Sequence, residues 1–179
     1  MKLLSKFILK YIWRWKFEGE LPLHLDQFVM IVAPHTSWHD FPLGLLVKWA
    51  NGFESNYIGK DSLFKSPLGF FFRWTGGTPV DRSKSTNMVE AVVNIFKKKK
   101  VFRLVLAPEG TRKKVDKWKT GFYFIAKGAN VPIVMMALDF ENRLIKISEP
   151  FYVTDDMEAD FKFFEKYYEG IKGYHPHLS

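Results

Sequence analysis

The chain has 179 residues, 47% of them hydrophobic, enough to bury one core, and its length matches a single domain over 1–179. It has no cysteine, which excludes disulfides, thiolate metal ligands and a cysteine nucleophile. A formal charge of +8 draws it to polyanions, and 18 Phe with 6 Trp tilt the choice towards a lipid interface or stacking on bases.

The first segment, MKLLSKFILKYIWRWKF, predicts an amphipathic helix over residues 1–17. Leu3, Leu4, Phe7, Ile8, Tyr11, Ile12 and Trp15 share one face, and Lys2, Lys6, Lys10, Arg14 and Lys16 occupy the others. Such a helix either packs its stripe on the core or lies in a membrane interface, and Trp13 and Trp15 among cations bring the second reading level with the first. No apolar run reaches the ~18 residues of a spanning helix. Lys6 and Lys10 interrupt what would be a signal-peptide apolar region, so a cytoplasmic location is expected.

Beyond the loop EGELP, short apolar runs alternate with amphipathic stretches. QFVMIVA, NYIG, TPV, VFRLVLA and VPIVMMAL are separated by FPLGLLVKWA, LFKSPLGFFFRW, TNMVEAVVNIFKKKK and TGFYFIAKGA. Strand and helix in turn predict an α/β domain with a central, largely parallel sheet flanked by helices. RLIKIS and FYV read as further strands, DDMEADFKFFEKYYEG as a last helix opened by acidic residues, and GYHPHLS as a frayed end. Lys97 to Lys100 read as a solvated helix end, with attraction to a membrane or phosphate second.

Three stretches carry candidate chemistry. In APHTSWHDFPLG, His35 follows a strand and Asp40 opens a helical run. Five residues of continuous helix would turn the two side chains about 140° apart, so they meet only if His35 lies in the preceding turn. Pro34 disfavours helical geometry at Ala33 and helps to place that turn. A carboxylate there holds one imidazole nitrogen protonated and leaves the other to take a proton from a substrate hydroxyl. With no Gly-x-Ser-x-Gly elbow, the hydroxyl belongs to the substrate. The rivals are a metal site using His35 and His39, and plain helix capping. GGTPVDR ends in Asp81 and Arg82, a pair that alone reads as a turn with a surface ion pair. In VFRLVLAPEGTRKK, Gly110 permits unusual backbone angles, Arg112 offers a planar fork suited to a phosphomonoester, and Glu109 either orders the loop or binds a hydroxyl. A plain loop with a surface arginine is the alternative.

Together these stretches resemble the glycerolipid acyltransferases typified by 1-acylglycerol-3-phosphate O-acyltransferase. HTSWHD looks like that family's first motif, His, four residues, Asp. KDSLFKSPLGFFFRWTGGTPVDR is similar to the second, PEGTR (108–112) to the third, and VPIVMMAL (131–138) to the fourth. The chain departs from the usual pattern at Pro34, Ala107, Met135 and Met136, and the two thioethers suit the lining of an altered pocket. The resemblance implies transfer of an acyl group from acyl-CoA or acyl carrier protein to a hydroxyl of a lysophospholipid or glycerol phosphate, with 1-acylglycerol-3-phosphate favoured. It implies His35 as base, Asp40 as its orienter, and Arg82, Glu109, Gly110, Thr111 and Arg112 as the acceptor site, with no metal or cofactor. It further implies that residues 1–17 dock on a membrane, making the protein peripheral on the inner face of the cell membrane. An anionic-lipid-binding module without catalysis and an acyl-thioester hydrolase are the alternatives. Nucleic acid ranks last as a partner, since the cations are dispersed among apolar segments.

Overall fold

A computed structural model describes residues 1–80 and 85–179. Among these residues seven strands form one sheet: β1 (Lys16–Glu18), β2 (Gln27–Ala33), β3 (Asn56–Lys60), β4 (Gly77–Val80), β5 (Phe102–Leu106), β6 (Ile133–Asp139) and β7 (Leu144–Ile147). Their order across the sheet is β1-β7-β6-β2-β5-β3-β4. The strands from β6 to β4 run parallel to one another, while β7 pairs antiparallel with β6 and β1 runs parallel to β7. The expected α/β architecture with a largely parallel sheet is therefore present.

The helices are α1 (Lys2–Phe7), α2 (Asp40–Asn51), α3 (Asp61–Phe64), α4 (Gly69–Trp74), α5 (Ser85–Lys98), α6 (Gly121–Ala129) and α7 (Met157–Tyr168). Successive side chains of a strand point to opposite faces, and the central strands feed two cores. Val29, Ile31 and Ala33 of β2 join Val92 and Phe96 of α5, Phe122 and Ile125 of α6 and Phe164 of α7. Phe28 and Met30 join Leu43, Val47 and Ala50 of α2 on the other face. Every residue of β6 is buried, as a strand covered by helices on both sides must be. Met135 lies in the first core and Met136 in the second, so the two thioethers pack the interior rather than line a pocket.

The N-terminal segment differs from the single helix expected over 1–17. α1 is followed by a π-helical turn, Ile8–Ile12, and Arg14 then takes a φ of 55°, a left-handed conformation that no helix continues through. The chain leaves in a new direction, Lys16 N–H donates to Arg143 O, and β1 closes the sheet edge. Trp15 is thus drawn away from the predicted stripe into the core, edge-on to Phe140. Leu9 is buried, yet Leu3, Leu4, Phe7, Tyr11 and Ile12 are between 52% and 85% exposed, so most of the stripe does not pack on the chain's own core. No helix among the described residues is long and apolar enough to cross a membrane.

Two further expectations change. FYV is no strand; Phe151 makes one isolated bridge to Ile133. The C-terminal residues are not frayed either. Phe140 N–H donates to Lys172 O (2.8 Å), His175 N–H to Thr36 Oγ1 (3.1 Å) and Gly173 N–H to Ser179 Oγ (2.8 Å), which fastens the tail across the molecule.

Candidate active site

β2 and β5 are parallel neighbours, with Ile31 opposite Leu106. The loops that leave their C-terminal ends therefore emerge side by side, at the edge of a parallel sheet where ligands commonly bind. One loop runs from the cis Ala33–Pro34 peptide to α2, and the other carries residues 107–112. Residues 74 positions apart in sequence become partners: His35 N–H donates to Glu109 Oε1 at 3.0 Å.

His35 lies in the turn before α2, the geometry that lets it face Asp40. Nδ1 and Asp40 Oδ2 are 2.8 Å apart, with the Asp40 side chain 5% exposed and that of His35 27% exposed. Asp40 Oδ2 also accepts the Ser37 N–H (3.1 Å), which fixes the carboxylate from the backbone side. A buried carboxylate between two donors favours the tautomer with the proton on Nδ1, which leaves Nε2 free to accept one. The aspartate thus sets both the direction of the ring and which nitrogen is left to accept a proton. Ser37 had no signal in the sequence, because its contribution is a backbone N–H.

His39 is engaged separately. Its Nδ1 lies 2.8 Å from Ser37 Oγ and its ring stacks on Tyr174 at 4.0 Å. The two histidines therefore have different partners, and no group of three metal-ligating side chains occurs among the described residues. Behind the loop, Tyr168 of α7 donates its hydroxyl to Ile31 O (2.6 Å), and burial pushes that phenol well above its ordinary pKa. Buried Thr36 holds the tail. Neither contact was visible in the sequence.

The second loop is more open. Burial pushes the Glu109 carboxyl above its usual pKa, with the His35 N–H pulling the other way. Glu109 Oε2 is buried and has no hydrogen-bond partner among the described residues. Gly110 has a φ of 65°, and a side chain there would run into Lys119. Thr111 Oγ1 accepts the Lys113 N–H (3.3 Å). Arg112 is exposed and forms no hydrogen bond or ion pair with the described residues. His35, Asp40 and Glu109 are brought together, Gly110, Thr111 and Arg112 follow on the same loop, and Arg82 lies outside the described residues. β4, which ends at Val80 just before it, runs parallel to β3 and β5 and so finishes at the same edge of the sheet.

Comparison with known proteins gives a consistent result. A family model described as Acyltransferase matches residues 14–139. The 1-acyl-sn-glycerol-3-phosphate acyltransferase of Salmonella typhimurium is 32% identical over 98 residues, which cover 51% of this chain and 40% of that protein, and its namesake from Salmonella typhi matches equally. The match thus spans less than half the length of these curated relatives. Among solved structures, the 1-acyl-sn-glycerophosphate (LPA) acyltransferase PlsC from Thermotoga maritima aligns with a TM-score of 0.66 over 93% of this chain and 74% of that one. At 22% identity that likeness establishes a common fold.

Proposed function

The chain belongs to the Acyltransferase family, and from that premise we propose that it is an O-acyltransferase that moves an acyl group from an acyl thioester to a lysophospholipid hydroxyl, with 1-acylglycerol-3-phosphate as the favoured acceptor. The observation that carries this reading is the 2.8 Å contact between His35 Nδ1 and Asp40 Oδ2, with the rest of the imidazole accessible beside the Glu109 loop.

Nε2 of His35 takes the proton of the acceptor hydroxyl as its oxygen attacks the thioester carbonyl carbon. The negative charge passes to the carbonyl oxygen, where the N-terminal N–H groups and dipole of α2 stabilise it. Collapse of the tetrahedral intermediate breaks the carbon–sulfur bond, and the departing thiolate recovers the proton from the imidazolium. Asp40 stabilises the imidazolium while it exists. Arg112, with Arg82, grips the acceptor phosphate, and Glu109, Gly110 and Thr111 shape the loop against it. CoA and acyl carrier protein are both suitable thiols, and the reaction as written requires no metal or cofactor.

The exposed stripe of Leu3, Leu4, Phe7, Tyr11 and Ile12, set among lysines, supports docking on the bilayer from its cytoplasmic side. An acceptor that lives in the bilayer would then be met where it resides.

Thiol release from acyl-CoA and acyl carrier protein, measured across acceptors with and without a phosphomonoester, tests the proposal. Release is expected only with a lysophospholipid or glycerol phosphate present and is expected to be lost in Asp40→Ala. Release of free fatty acid at the same rate without acceptor would mean hydrolysis instead.

A further inference from the structure

A groove of about 540 Å³, half open to solvent, lies between the N-terminal segment and the far end of α2, away from His35, with Asn51 on its wall. Four cations surround it: Lys6, Lys10, Arg14 and Lys16. No acidic residue lines it, and none of the four forms an ion pair among the described residues. Its floor is apolar, from Leu9 and Trp15, both buried. Arg14, whose backbone is left-handed with a φ of 55°, is one of these four cations.

From this combination we propose that the cavity is a site for one anionic phospholipid, separate from the acceptor site at the other end of α2. Four unpaired cations close together repel one another, and an anion between them removes that cost and gains charge-assisted hydrogen bonds. Inorganic phosphate would answer the rim and leave the Leu9–Trp15 floor wetted. A lipid answers both, its phosphate on the cations and its glycerol and first methylenes on the apolar floor. The volume lies within the ~300–1,000 Å³ of small-ligand sites. The cavity also adjoins α1, whose exposed stripe would bring it to the bilayer surface. In taking its ligand from the bilayer, the inference rests on the docking proposed above.

Dihexanoyl phosphatidylglycerol, kept below its micelle concentration and titrated into the full chain by calorimetry, tests the site without any bilayer. One-to-one binding is expected, about tenfold or more tighter than for dihexanoyl phosphatidylcholine. The combined variant Lys6→Gln, Lys10→Gln, Lys16→Gln should lower the affinity about tenfold or more, and Arg14→Asn, which keeps a residue tolerant of left-handed geometry, should lower it severalfold. Arg112→Ala should leave it unchanged, which separates this cavity from the acceptor site. Equal binding of both lipids, equal binding of inorganic phosphate, or an unchanged affinity in the triple variant would each overturn the assignment. Leu3→Ser, Leu4→Ser, Phe7→Ser should weaken attachment to phosphatidylglycerol vesicles about tenfold or more and leave short-chain binding intact. Retained vesicle attachment would count against the docking reading alone, whereas lost short-chain binding would count against the cavity.

Discussion

The two loops at the C-terminal edge of the sheet are built differently. In the turn from Pro34 to Asp40, the His35 N–H, the His35 ring, the Ser37 N–H and the His39 ring all have protein partners. In the turn from Pro108 to Arg112 the guanidinium has none among the described residues, while each loop leaves one buried carboxylate oxygen unpartnered, Asp40 Oδ1 in the first and Glu109 Oε2 in the second. A proton-transfer group gains from being fixed before substrate arrives, because reorienting it during reaction would add to the barrier. A group that recognises a charged ligand must leave its donors vacant for that ligand. On the proposed reading one loop is prepared for chemistry and the other for recognition, and Glu109 joins them by accepting the His35 N–H.

Substitutions test that division. The largest effect is expected from His35→Ala, a loss of about 10³-fold or more in turnover, with vesicle binding unchanged because the stripe proposed to dock lies elsewhere. Near wild-type thiol release by this variant would remove the base from the mechanism. Asp40→Asn keeps the shape but no longer favours the working tautomer, and should lower kcat about 10²-fold with little change in KM. An equal rise in KM would mean that the turn itself had moved.

Arg112→Ala belongs to the other loop and should act on KM. A rise of about 10- to 100-fold is expected for phosphomonoester acceptors, from the loss of charge-assisted hydrogen bonds, with uncharged acceptors little affected. If kcat fell equally for both kinds of acceptor, the separation of recognition from chemistry would fail.

Glu109→Gln tests the link between the loops by a pH profile. Because burial raises the Glu109 carboxyl above 4.5, the folded chain binds its proton more tightly than the unfolded chain does. That preference favours the fold below 4.5, and its benefit is lost as pH rises through the raised folded value. The amide keeps an oxygen for the His35 N–H but carries no charge, so the variant should be more stable than the parent at neutral pH, with the difference shrinking towards pH 4.5. Urea midpoints at several pH values would show it, and a constant difference would rule out the buried charge as the cause. The smallest effect is expected from Thr36→Val, which leaves the His175 N–H unpaired. About 1 kcal/mol, or a melting temperature lower by about 2–4 °C, is expected.

The strands of the central sheet were legible because their apolar runs are short and continuous, and the helices between them because their apolar residues recur at helical spacing. Helical spacing allowed His35 to face Asp40 only from the turn before the helix, and the likeness to a family motif, rather than geometry, favoured that pairing over a metal site or a helix cap. The contact between His35 and Glu109 was not legible, because it depends on β5 lying beside β2, a neighbour relation that no local pattern encodes. The first helix was drawn too long because Trp15 fits the stripe as well as it fits the core, and only the backbone at Arg14 separates the two. The tail read as frayed because its bonds are made by the backbone of Gly173 and His175 and by the side chains of Thr36 and Ser179, contacts that hydrophobic patterning does not register.

The parallel pairing of β1 with β7 has a mechanical meaning. Only the residues from Trp13 to Trp15 separate the last turn of the N-terminal helix from a strand locked into the sheet. So short a connection leaves little length for a hinge, and under the docking proposed above a tilt of the helix on a lipid surface would be passed to the whole sheet. The angle at which the protein rests would then decide how its reaction centre faces the lipids beneath it.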